Sequence, residues 1–277
     1  MVQKKLDHPE TQTTDETTRE LFMAWYNRFE YKSNPFERDP FRTNYTFINH
    51  VNFLQDLLYL VKSGSIFAIQ AQEGCGKTMM LRQIVENFKG KTRLAYVDAR
   101  KIGEELDIEE IIDKKGSPII GTLFKKKPKQ MILLLDNVES LSPKNCEKIK
   151  YYFDQNYLHS VVFATQDYEQ FDISRSLRDR IMNQVFELPV INKYDALRIV
   201  RNRFQDAFFL GDEAIFKIYQ QSHSNIKFTL RNCEKVCRFV VNEGRGEVLV
   251  KYINMILKKK TPITRHSETN PKQVVHT

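Results

Sequence analysis

The sequence predicts a three-layer α/β fold with a parallel five-stranded sheet, followed by a small all-α domain. Between residues 66 and 190 strand-length apolar runs alternate with helical patterns. One of these runs, Met131-Ile132-Leu133-Leu134-Leu135, is uninterrupted, as a strand buried on both faces requires. After Pro189 the pattern is helical throughout.

Taken in order, residues 1–20 are polar and Thr-rich with no apolar stretch of the kind a secretory signal carries, and are expected to be a disordered arm. Residues 21–29 put Phe22, Trp25, Tyr26 and Phe29 on one helical face, a core-packing pattern. Asn34-Pro35-Phe36 and Asp39-Pro40-Phe41 then break the chain into turns or extended pieces. Helical spacing over residues 47–61 stops at Gly64, which can cap a helix C-terminus. Next come a strand at 66–70, a helix at 77–88, and a strand at 94–97 with Asp98 at its carboxyl end. A helix at 108–114, a strand at 131–135, a helix at 146–153 and a strand at 159–165 follow. A short helix at 174–181 and a strand at 185–190 complete an α/β domain of residues 21–190, whose ligands belong at the strands' carboxyl ends. Helices at 194–207, 212–221, 228–243 and 247–257 make a second domain of residues 191–260. The polar, proline-broken stretch 261–277 is expected to be a disordered tail.

Composition narrows the function classes. The 277 residues are 41% hydrophobic and 28% charged, a globular balance, and no run approaches the roughly 18 apolar residues of a membrane span. No membrane partner is expected, and the location is expected to be cytoplasmic, or nuclear in a eukaryote. The four cysteines lack the His/Cys partners of a zinc site; Cys233 and Cys237, one helical turn apart, read as a half-buried helix face. The net charge of +8 includes Lys125-Lys126-Lys127, Lys129, Lys258-Lys259-Lys260 and Arg265 and is compatible with a polyanion partner. A lysine run at a helix end also complements the helix dipole, and one in a loop can be simply solvated.

The chemistry lies between the strands at 66–70 and 131–135. A phosphate-binding loop needs glycines that let backbone N–H groups face the phosphates, a lysine against their charge, and a hydroxyl for Mg²⁺. Gly74, Gly76, Lys77 and Thr78 meet those needs after the apolar strand and at the start of a helix. In the full pattern G-x-x-x-x-G-K-S/T the first glycine is replaced by Ala71, which costs little where φ stays negative. Asp136, ending the apolar strand, can hold the Mg²⁺ hydration shell beside the loop. Together these features predict nucleotide binding, with Glu73, Gly74, Cys75, Gly76, Lys77, Thr78 and Met79 as the contacting stretch and Thr78 and Asp136 at the metal.

With these residues the chain resembles the AAA+ ATPases, and within them the origin-recognition/replication-initiator group and the related transposition and secretion ATPases. The likeness runs over about residues 34–257. It is carried by Glu73-Gly74-Cys75-Gly76-Lys77-Thr78, Leu133-Leu134-Leu135-Asp136-Asn137, Phe163-Ala164-Thr165-Gln166, Leu177-Arg178-Asp179-Arg180-Ile181 and Phe228-Thr229-Leu230-Arg231-Asn232. The resemblance implies a P-loop NTPase with a helical lid, ATP/ADP and Mg²⁺ as cofactors, and a homo-oligomeric ring or filament. It also implies duplex DNA bound through backbone contacts. Lys77 and Thr78 would be the Walker A lysine and hydroxyl, and Asp136 the Walker B carboxylate. Thr165, beside Gln166, falls at sensor 1; an ordinary strand-ending threonine is the plainer reading. Arg180, or else Arg178, falls at the arginine finger that reaches a neighbour's γ-phosphate, and a solvated helix arginine is the alternative. Arg231 falls at sensor 2.

Two departures shape the expected function. Asn137 stands where the family has a glutamate general base; an amide cannot accept a proton as a carboxylate does, so hydrolysis is expected to be slow, with Glu139 as the available substitute. Too few residues follow Leu257 for the winged-helix domain that replication initiators carry, so DNA contact is expected at basic loops and to backbone. The expectation is therefore an oligomeric, ATP-controlled switch in DNA handling. Its rival is a weakly hydrolysing nucleotide-binding scaffold docking a protein partner through the aromatic segment 22–47; a metabolic kinase fits less well.

Overall fold

The computed structural model describes residues 24–43, 45, 50–90, 93–102, 106–115 and 130–257. The arm 1–20, the tail 261–277, Phe22, Phe47, and the basic residues Lys125–Lys127, Lys129, Lys258–Lys260 and Arg265 lie outside these.

Five strands, β1 (Ile66–Gln70), β2 (Leu94–Asp98), β3 (Met131–Asp136), β4 (Leu158–Thr165) and β5 (Val185–Glu187), form one sheet in the order β2-β3-β4-β1-β5, all neighbours parallel. Parallel neighbours need crossovers, and helices supply them on both faces. Side chains alternate between faces along each strand. Phe67, Ile69, Ile132, Leu134 and Val162 meet α1 (Val51–Ser63) and α2 (Lys77–Phe88) through Leu57, Met80, Leu81 and Ile84. Ala68, Leu133, Leu135, Val161 and Phe163 face the opposite way. They pack on Ile108 of α3 (Ile108–Lys115), Cys146 and Ile149 of α4 (Pro143–Asp154), and Leu177 and Ile181 of α5 (Arg175–Ile181).

Local chemistry sets the helix ends. Gly64 closes α1 in the left-handed region at φ 80°. Ser142 and Ser174 accept backbone N–H bonds as N-caps of α4 and α5, with Pro143 opening α4.

The second domain holds α6 (Lys193–Arg203), α7 (Asp212–Gln221), α8 (Ile226–Asn242) and α9 (Val250–Leu257). Asn192 and Asp195 make a reciprocal capping box at α6. This helix ends earlier than its periodicity predicts, because Phe204 turns extended at φ −133° and drives its ring into the aromatic core. Similarly β5 stops at Glu187, short of residue 190, ahead of Pro189. Cys233 and Cys237 are fully buried rather than half-buried, facing the helical core from α8.

The aromatic segment differs most from expectation. Trp25–Phe29 is a 3-10 turn, and its rings belong to the helical domain: Trp25 stacks on Phe36 at 5.8 Å, and Phe29 lies 5.0 Å from Phe204 and 4.6 Å from Phe209. The sequence grouping of residues 21–190 counted this segment with the sheet, but the complementary aromatic surface is on the other domain. Among the described residues no helix is long and apolar enough to cross a membrane.

Candidate functional site

Beyond the carboxyl ends of the strands lies a cavity of about 930 Å³, walled by the β1–α2 loop, the ends of β2 and β3, the segment 37–45 and the first turn of α8. The loop's shape rests on two glycines. Gly74 and Gly76 hold φ +79° and +106°, a region where a Cβ costs about 1–2 kcal/mol. Ala71, by contrast, keeps a negative φ, so its methyl is tolerated. Gly74 meets a second demand: an added Cβ would fall 2.4 Å from Asn225 Oδ1 and 2.9 Å from Lys227 Cβ. The helical domain thus abuts the loop. Asn225 Nδ2 donates to the Glu73 carbonyl at 2.6 Å, and Lys227 Nζ pairs with Glu73 Oε1 at 2.7 Å.

Lys77, the first residue of α2, is only 7% exposed, and its ammonium donates to the carbonyls of Ala71 and, at 3.2 Å, Gln72. Burial lowers its pKa, against the nearby Glu139 and Asp136 carboxylates, which raise it. Thr78 Oγ1 donates to Asp136 Oδ2 at 2.7 Å, and the Tyr96 hydroxyl donates to the same oxygen at 2.9 Å. Burial, then Asp136, pushes that phenol well above its ordinary range, so it remains a donor. Asp136 itself is 1% exposed, and Asn137 N–H holds its Oδ1 at 3.0 Å. Among the described residues no cluster of three or more His, Cys, Asp or Glu forms a metal cage. One hydroxyl and one carboxylate instead fit Mg²⁺, which keeps most of its waters and takes further oxygens from phosphate.

The structure gives Asn137 a reason. It sits in the left-handed region at φ 56° and ψ 49°, which asparagine enters more readily than glutamate, and its Nδ2 donates to Asp98 Oδ1 at 3.0 Å. Glu139, in the 3-10 turn Val138–Ser140, accepts from Thr165 Oγ1 at 2.9 Å and from Gln166 N–H. Glu73, Cys75, Met79, Glu139 and Gln166 line the cavity with Lys77 and Thr78. Asp136 and Thr165 stand behind it, each one hydrogen bond from a lining residue.

Three predicted residues stand apart. Arg180 is held on its own surface by Asp154, through Nε at 3.1 Å and a second bond from Nη2, and does not line the cavity. Arg178 likewise lies over the Tyr168 ring, 3.6 Å from Glu169. Arg231, the sensor 2 candidate, is exposed on α8 and is not among the residues that line the cavity. The helix meets the loop with its first turn, so Lys227, one turn earlier, occupies the lining position.

Sequence reasoning missed Asn225, Lys227, Arg100, Arg203 and His50. Of these, Asn225 carried a legible signal, an N-cap residue ahead of a helical run. Arg203 Nη1 donates to the Glu37 carbonyl at 2.7 Å, its guanidinium lies 4.6 Å from the Tyr45 ring centre, and burial pushes its pKa down to about 10. Phe41 packs on the Tyr96 ring at 4.5 Å, on the β2 side of the cavity, while Leu188, Ile191 and Ile199 add apolar lining of the kind a planar ring can use.

This sheet order, loop and helical domain make a three-layer P-loop NTPase fold, and solved structures share it. Cdc6p from Pyrobaculum aerophilum matches at a TM-score of 0.62 and 14% identity over 76% of this chain and 68% of its own. The Aeropyrum pernix ORC2 protein, solved in ADPNP and ADP complexes, matches at 0.59 and 13% over 82% and 73%. The RuvB Holliday junction branch migration motor of Thermotoga maritima matches at 0.55 and 14% over 76% and 69%. No protein-family model and no curated protein matches the chain.

Proposed function

We propose that this protein is an ATP-binding AAA+ switch that works as a homo-oligomer in DNA transactions and hydrolyses ATP slowly. The observation that carries the nucleotide reading is the 2.7 Å bond from Thr78 to Asp136, which joins the phosphate loop to the end of β3 beside buried Lys77. The loop amides and Lys77 bind the phosphates, Thr78 and Asp136 would hold Mg²⁺, and the apolar lining at Leu188, Ile191 and Ile199 takes the base. Mg²⁺ supplies charge neutralisation and orientation of the phosphate oxygens. Glu139, oriented by Thr165 and Gln166, is the base that accepts a proton from the attacking water. Arg180 is half exposed and off its own chain's cavity, as a residue serving a neighbour's phosphate must be.

The DNA part of the reading is supported by the net charge of +8 and by the fold shared with a branch migration motor. It predicts binding to duplex backbone that weakens steeply with salt. Equilibrium binding of a fluorescent ATP analogue should be lost in Lys77→Ala, and sedimentation with ATP, Mg²⁺ and duplex DNA at low salt should give an assembly. No assembly would remove the DNA part while leaving the nucleotide part standing.

A second reading, a scaffold with negligible turnover, is favoured by the commitment of Asn137 to Asp98 and of Glu139 to Thr165 and Gln166. Phosphate release separates the two. A rate in wild type that falls about 100-fold or more in Glu139→Gln marks a working base, and no release in wild type marks the scaffold.

A further inference from the structure

The ends of β2 and β3 place two carboxylates side by side, Asp98 and Asp136 being register partners. They are used differently. Asp136 is given to Thr78 and Tyr96, whereas Asp98 is given to Arg100 and Asn137.

The Arg100 fork is fixed to Asp98 through Nε at 3.0 Å and Nη2 at 2.8 Å, with its backbone N–H on the same carboxylate at 3.2 Å. Asn137 adds a bond at 3.0 Å, and the Asp98 side chain is only 7% exposed. A solvated surface arginine has no such buried anchor. Arg100 is itself 62% exposed, its Nη1 makes no hydrogen bond to a described residue, and it lines the same cavity as Lys77, Thr78 and Glu73. The Glu73 carboxyl's pKa is lowered chiefly by its hydrogen bond from Lys227, with Arg100 the smallest of the contributing charges. Along the sheet the order β2-β3-β4-β1 puts Arg100 on the far side of Asp136 from the strand that feeds the phosphate loop.

We infer that Arg100 is a second cationic contact for the bound nucleotide, supplied by the same chain and directed at the outer end of the triphosphate. Asp98 and Asn137 are its positioning residues. This rests on the nucleotide reading. It also gives Asn137 a role in the place where a general base would stand: it helps hold a phosphate-reading arginine.

The test is equilibrium binding of ATP and ADP, each with Mg²⁺ and with EDTA, to wild type, Arg100→Ala, Arg100→Lys, Asn137→Ala and Lys77→Ala. A charged hydrogen bond lost from the terminal phosphate should weaken ATP about tenfold or more in Arg100→Ala while ADP changes by less than about twofold. The ATP-specific loss should persist in EDTA, because the contact is to phosphate rather than to the metal. Asn137→Ala should lose in the same direction but less, and Arg100→Lys should recover part of the affinity. Equal losses for ATP and ADP, a loss confined to Mg²⁺, or no loss would each overturn the assignment while wild type still binds both nucleotides. If wild type binds neither, the nucleotide reading falls and this inference falls with it. Because Arg100→Ala also strips nearly buried Asp98 of its main partner, retained ADP affinity is the control that the site stays folded, and Arg100→Lys keeps a cation beside that carboxylate.

Discussion

Lys227, in the first turn of α8, meets Glu73 of the phosphate loop at 2.7 Å, so the two domains touch at the loop expected to hold phosphate. The pair is largely solvated, and its worth in stability is small, below about 1 kcal/mol. Lys227→Ala should therefore leave the urea midpoint nearly unchanged while altering the salt dependence of nucleotide affinity.

Gly74→Ala should behave differently from that charge change. The new methyl meets a positive φ and the Asn225 side chain at 2.4 Å, so backbone strain of about 1–2 kcal/mol adds to a forced retreat of α8. Urea unfolding should show the loss, and limited proteolysis should show faster cutting around residues 222–227. The double variant Gly74→Ala with Asn225→Gly should regain part of it.

Removing Asp136 should damage the fold as well as the site. Asp136→Ala removes the shared acceptor of the half-buried Thr78 and Tyr96 hydroxyls, which line the cavity where water can replace it, so the loss should be about 1.5–3 kcal/mol, the net worth of a hydrogen bond to a charged group. Tyr96→Phe combined with Asp136→Ala should be less destabilised than the sum of the single changes, as a double-mutant cycle in urea would read.

His50, the N-cap of α1, gives a pH dependence. Burial lowers its pKa, opposed by Asp195, and its Nε2 is buried with no hydrogen-bond partner among the described residues. The unfolded histidine therefore takes up its proton first. Stability is complete above the ordinary histidine value of about 6.5 and declines as pH falls from there through the lowered folded value. His50→Asn, which suits φ 60°, should flatten that part of a stability–pH profile.

Phe204→Ala should cost about 3–5 kcal/mol, the usual loss for a buried aromatic truncated to alanine. Its ring touches Trp25, Phe29, Tyr31, Phe36 and Phe209. Since Trp25 is the single tryptophan, its fluorescence should shift red in the variant and report this cluster directly.

The sheet was legible because its strands carry the strongest local signal, short apolar runs ended by a loop residue or a carboxylate. Strand β3 and helix α2 fall within a residue of their expected bounds. The phosphate loop and Asp136 stood out for a related reason, since strand ends place their following residues, whereas the bond that joins Thr165 to Glu139 has no local signal. What stayed hidden depends on how separate elements meet. Nothing local says that the aromatic segment joins the helical domain, that α8 presents Lys227 rather than Arg231, or that Asn137 answers to Asp98.

The aromatic anchoring of residues 25–36 has a mechanical consequence. Those rings are set in the helical domain, while the next residues, 37–41, form part of the cavity wall and lay Phe41 on Tyr96 of the sheet. A rotation of the helical domain would therefore pull on two walls at once, α8 against the phosphate loop and this strap against Tyr96 at the end of β2. Contacts made to a ligand from the loop side and from the β2 side would tighten or slacken together.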